Sequence, residues 1–189
     1  MNLKSVARGR MAAPWMATPR MAVQTPGFTL IELLVTVLVG GILVAIAVPA
    51  FNSFVQNDRD IGQANSLVSS LNYARSEAIK QNIAGGVTVC PSTNGTTCIG
   101  TDWSGGWIVL DGTGNVLSAV PALGGSNTLT PSSGVTFQST GLPSGPLAIR
   151  ICDLRGAAFA RDVEVNSAGR VAASTTPGQS VSGAPLVCP

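Results

Sequence analysis

The sequence predicts an α+β fold: a long N-terminal α-helix, membrane-spanning in its first half, packed on a C-terminal antiparallel β-sheet or small β-sandwich. Three observations carry this expectation. Leu33 to Ala50 is a predominantly apolar run without a charge. From Phe51 to Ile83 apolar residues recur every three to four positions. Beyond Gly86 the pattern changes to short β-branched runs separated by Gly, Ser, Asn and Pro. The chain thus divides into a basic segment 1–27, a membrane half 28–50, an amphipathic half 51–84 and a β-rich globular domain 85–189.

As a helix rising about 1.5 Å per residue, Leu33 to Ala50 spans ~27 Å, close to a hydrocarbon core. Lys4, Arg8, Arg10 and Arg20 precede it with no acid among them, whereas Asp58, Arg59 and Asp60 roughly cancel after it. The positive-inside rule keeps the N-terminus cytoplasmic and sends the rest across the membrane. The run is too long for a cleaved secretory signal, whose apolar region covers roughly 7–15 residues. Glu32 stands at its entrance, where a carboxylate costs roughly 2.5–3.5 kcal/mol at a bilayer centre and so points to function. Gly40, Gly41 and Ala45 offer either close helix approach or a pliable lipid-facing surface, and Pro49 predicts a kink.

The amphipathic half places Phe51, Phe54/Val55, Ile61, Ala64, Leu67/Val68, Leu71, Ala74, Ala78/Ile79 and Ile83 on one face, which should lie on the globular domain. Glu77 and Lys80 meet on the outer face, and Gly85-Gly86 stops the helix. Strands are predicted at 87–90, 107–110, 116–120, 135–138, 147–151 and 162–165, with hairpin loops at Asp111–Asn115 and Asn166–Gly169. Trp103 and Trp107 read as core or hairpin aromatics.

Composition narrows the chemistry. The net charge of +2 is made by the first 27 residues; after Phe28 there are seven basic residues against nine acids. The absence of His removes Ser-His-Asp and Cys-His catalysis and every His-ligated metal site. Lys80 is the only lysine beyond the membrane run, Asp102, Asp111, Asp153 and Asp162 read as loop or turn residues, and no phosphate-cradling Gly motif follows a strand. No enzymatic role and no cofactor are expected. Cys90, Cys98, Cys152 and Cys188 lack CxxC spacing, which favours disulfides over metal in an oxidising compartment. Three connectivities are open; the short loop between Cys90 and Cys98 suits a local bridge, leaving Cys152 to tie down the tail through Cys188.

Gly27-Phe28-Thr29-Leu30-Ile31-Glu32-Leu33-Leu34-Val35 resembles the processing and methylation motif of type IV prepilins and type II secretion pseudopilins. The resemblance implies a leader, 1–27, removed by a prepilin peptidase between Gly27 and Phe28, and N-methylation of Phe28. It further implies that Glu32 pairs with the Phe28 amine of a neighbouring subunit during assembly, and that Pro49 is a family position. A leader of this length is long for that family, and a start at Met16 would still keep Arg20. The segments Leu71–Ala78, Val89–Ser92, Trp103–Trp107 and Cys152–Gly156 with Gly169-Arg170-Val171 resemble the GspH/FimT/FimU group of minor pseudopilins and minor pilins. That implies a structural subunit initiating or capping a type IV pilus or a secretion pseudopilus. Its partners would be the peptidase, other minor subunits and the major subunit, the inner-membrane assembly platform, and membrane lipid.

Some FimT-like subunits bind DNA through a Gly-Arg-x-Arg motif. Here Gly169-Arg170-Val171-Ala172 lacks the second arginine, and Asp153, Asp162 and Glu164 accompany Arg150, Arg155, Arg161 and Arg170. Since cation number sets phosphate affinity, the preferred reading of Arg155, Arg161 and Arg170 is a salt-bridged strand edge. DNA is the alternative partner.

Overall fold

The computed structural model describes residues 27–82 and 85–188. The leader expected at 1–27 therefore lies outside the described residues except for Gly27, as does Ile83. The chain divides into two compact units, the first ending at Val44 and the second running from Ala45 onward; each is taken by itself.

In the first unit the chain enters helix α1, Leu30–Gln81, which continues into the second unit and contains Pro49. Every residue from 41 to 50 is exposed, as are all but Gly40 between 27 and 40. An all-round apolar surface without a covering partner is what a lipid-facing or subunit-facing helix presents, and α1 is long and apolar enough here to cross a membrane.

In the second unit α1 becomes amphipathic. Its buried residues are Asp60, Gln63, Ala64, Leu67, Ser70, Leu71, Ala74 and Ala78, a three-to-four spacing that gives one stripe. This corrects the predicted face, chiefly over its first part. Phe51, Phe54, Val55 and Ile61 are exposed, and Ile79 is too, while Asp60 and Gln63 are buried. The stripe follows helical geometry rather than hydrophobicity, because polar partners from the sheet side satisfy Asp60 and Gln63.

The strands form two four-stranded antiparallel sheets, a small sandwich. With β1 Val87–Pro91, β2 Gly106–Leu110, β3 Val116–Pro121 and β5 Val135–Phe137, the first has the order β3-β2-β1-β5. With β4 Thr128–Leu129, β6 Leu147–Cys152, β7 Arg161–Val165 and β8 Val171–Ala173, the second has the order β4-β6-β7-β8. All six predicted strands are present, and both predicted hairpins join neighbours, β2 with β3 and β7 with β8. The strands β4 and β8, two and three residues long, were not predicted as such. Asp162 also departs from its loop reading: it is buried within β7.

Alternate residues of the strands point into one core. Val87, Val89, Trp107, Val109, Phe137, Ile149, Ile151, Val163 and Val165 meet Leu67, Leu71 and Ala74 of α1 there. Trp103 and Trp107 are core aromatics whose indole N–H finds a partner, as buried indoles require: Trp103 donates to the Ser132 carbonyl and Trp107 to Ser70 Oγ, each at 2.9 Å. Gly86, at φ 73°, leads from the helix into β1. A Cβ there would run into the backbone of Phe137, so only glycine fits. Disulfides join Cys90 to Cys98 and Cys152 to Cys188, with Cα atoms 5.5 and 5.9 Å apart. The first closes a loop beyond β1; the second ties the tail to β6, where Leu186 packs with Cys152 and Ala160.

Candidate functional site

At the N-terminal motif, Gly27 and Phe28 precede the helix and are exposed. Thr29 forms the helix start: its hydroxyl accepts from the Glu32 N–H at 3.3 Å and its carbonyl from the Leu33 N–H at 3.2 Å. Thr29-x-x-Glu32 therefore has the spacing of a capping box, in which the glutamate would reach back to the threonine N–H. That second bond is not made; the Glu32 carboxylate has no hydrogen bond or ion pair among the described residues. The Thr29-x-x-Glu32 spacing is the sequence signal that marks this helix start. An acid in the first helical turn is favoured by the helix dipole, so Glu32 is tolerated there.

A second cluster gathers where the β6–β7 loop meets α1. The Arg155 guanidinium donates to Asp60 Oδ2 at 3.0 Å, to Asp153 Oδ2 at 2.5 Å and to the Ser53 carbonyl at 3.2 Å. It lies 4.4 Å above the Phe159 ring centroid. Asn127 donates to Asp60 Oδ1 at 2.7 Å and to Gln63 Oε1, and Gln63 donates to the Gly124 carbonyl. Burial, assisted by the nearby Asp153 charge, pushes the Asp60 carboxyl up from its ordinary value, against the Asn127 hydrogen bond and the Arg155 charge. With its side chain 15 % exposed and that of Asp60 2 % exposed, this pair is a brace between loop and helix. Arg75 does similar work farther along, donating to the Gly141 and Ala168 carbonyls of two turns.

The arginines proposed for DNA are not brought together. Arg155 is held in the brace. Arg161 is buried on the α1 side of β7 and donates to the Thr175 carbonyl at 2.9 Å. Arg170 is exposed beyond the opposite end of β7, five residues or roughly 16 Å of strand from Asn166 back to Arg161. The period of two could have placed Arg161: it shares parity with Val163 and Val165, the core-facing residues. On the other face Asp162, beside Glu164, has its carboxyl pushed up to about 7, chiefly by burial and then by sharing a proton with Glu164.

Comparison with known proteins agrees with this architecture. The sequence matches the family model of the type II transport protein GspH over residues 63–169, more than half of the chain. It matches the prokaryotic N-terminal methylation motif over residues 26–48. Among solved structures, the type IV minor pilin FimU of Pseudomonas aeruginosa strain PAO1 superposes with a TM-score of 0.55 at 22% identity, covering 71% of this chain and 98% of that one. A second crystal form of FimU gives a TM-score of 0.48 at 23% identity, covering 66% and 96%. The FimU likeness is one of fold: a long N-terminal helix against antiparallel sheets. The protein belongs to the GspH family of minor pilins and pseudopilins and carries the N-terminal methylation motif, which runs on into its apolar helix.

Proposed function

We propose that this chain is a membrane-held subunit that helps to initiate or cap a type IV pilus or a type II secretion pseudopilus. The observation that carries the reading is Glu32, a carboxylate without a partner among the described residues, at the head of an exposed apolar helix. In this reading a prepilin peptidase removes 1–27 between Gly27 and Phe28 and methylates the Phe28 amine. The remaining segment 28–50 holds the subunit in the inner membrane, 51–84 carries the periplasmic domain 85–189, and a bend at Pro49 follows from its missing N–H. On docking, Glu32 accepts from the Phe28 amine of a neighbour. Two groups costly to bury alone become tolerable as a pair, so the contact specifies register more than it adds stability. Partners are other minor subunits, the major subunit and the assembly platform.

The test is the mass of the N-terminus in cells with and without the peptidase. A chain beginning at methylated Phe28 only when the peptidase is present is expected; a chain that keeps the leader in both would overturn the reading. The DNA-receptor alternative predicts a duplex mobility shift that Arg170→Ala abolishes. With Arg155 and Arg161 turned inward, we expect no such shift.

A further inference from the structure

Arg161 opens β7 and is 8 % exposed. Its Nη1 donates to the Thr175 carbonyl, but its Nε is buried with no hydrogen-bond partner. Among the described residues no carboxylate lies within ion-pair distance of it. A guanidinium removed from water without a counter-charge is costly, so the arrangement is electrostatically incomplete. The side chain lies in a groove of about 290 Å³ whose walls are Ile61, Ala64 and Asn65 of α1 and Ala173, Ser174 and Thr175 at the end of β8.

The same groove borders a free sheet edge. β8 is the last strand of its sheet. The Arg170 carbonyl accepts from the Asn166 N–H, Ala172 pairs with Glu164, and the Ser174 N–H donates to the Asp162 carbonyl. By the alternation of an antiparallel ladder, the N–H and C=O groups of Val171 and Ala173 are left facing outward. An edge with open backbone groups is a template for another strand.

We propose that this groove receives an extended polypeptide segment of another filament subunit, paired along the outer edge of β8 and carrying one Asp or Glu whose carboxylate accepts from Arg161 Nε. Small apolar residues two positions either side of that acid meet Ile61 and Ala64. A nucleic acid fits less well, because one buried cation between apolar walls cannot follow a row of phosphates. The identity of the partner rests on the filament reading above; the chemistry of the groove does not, and it is tested without a filament.

The full chain in phosphatidylcholine nanodiscs is titrated with a blocked pentapeptide of valine, threonine, glutamate, threonine and valine, and with its glutamine twin. The readouts are affinity and the Arg161 Nε–Hε magnetic resonance. The glutamate peptide should shift that resonance and bind at least tenfold more tightly than the twin. R161Q should erase the difference. N65D, which places a carboxylate on the exposed rim of the groove, should weaken binding at least tenfold while leaving the unfolding midpoint in place. N65D decides alone if R161Q does not fold. Equal binding of the two peptides, an unaffected N65D chain, or duplex DNA moving the resonance where the peptide does not, would overturn the proposal. A chain that binds the peptide yet is never processed at Phe28 would count against the filament reading alone.

Discussion

Leu38 and Leu71 are the same side chain on the same helix, yet one is 58 % exposed and the other fully buried. Around Leu38 apolar residues occupy every face of α1; around Leu71 they occupy one stripe, and the facing sheets of its own unit cover it. The difference teaches that α1 answers to two solvents. A helix apolar all round needs lipid or another subunit, and a striped helix needs only its own sheets. The charges follow the same division. Glu32 has no partner among the described residues, while Asp60 is enclosed by Arg155 and Asn127.

The comparison can be broken at the carboxylates first. Glu32→Ala should leave cleavage and methylation intact but cut recovery in sheared filaments by tenfold or more; recovery at the wild-type level would remove the assembly role. At the other acid, Arg155→Ala leaves Asp60 and Asp153 buried without their cation, a change that typically costs about 3–5 kcal/mol. Denaturant unfolding of the full chain in detergent, followed by tryptophan fluorescence, should register it. The leucines give the next pair. Leu71→Ala should destabilise the β-rich unit by about 2–5 kcal/mol, while Leu38→Ala should alter the same signal by less than about 0.5 kcal/mol. Equal losses at the two positions would mean that the two stretches share one core.

A pH-dependent effect sharpens the electrostatic side. Asp162, with its carboxyl at about 7 when folded and 3.8 as its ordinary value, binds a proton in the native state that the unfolded chain has already lost. Its contribution is fully present below pH 3.8 and disappears as pH rises through 7, with a slope of at most about 1.4 kcal/mol per pH unit. Asp162→Asn should flatten that part of the stability profile between pH 4 and 7. An unchanged slope would assign the titration elsewhere, Asp60 being the other acid raised by burial.

Features governed by near neighbours were legible from the residues. The apolar run, the helical spacing of Leu67, Leu71, Ala74 and Ala78, and the alternation of Val87 and Val89 or Val163 and Val165 depend on residues within a few positions of each other. The motif around Phe28 and Glu32 is local for the same reason. The brace was not legible, because Arg155 reaches Asp60 across 95 positions. Without that partner Asp60 reads as a solvated acid, and the exposed Ile61 next to it reads as core. β8 was hidden by its brevity, since three residues carry too little alternation to register.

By itself the sequence determined the helix and the longer strands, where the uncharged apolar run begins and ends, and which bond a peptidase is expected to cut, since periodicity and motif act over a few residues. Only the tertiary structure decided which polar groups are buried, which arginines face inward, and which sheet edge stays open. Those outcomes depend on distant segments meeting, and a side chain's environment in the fold is set by what arrives from elsewhere in the chain.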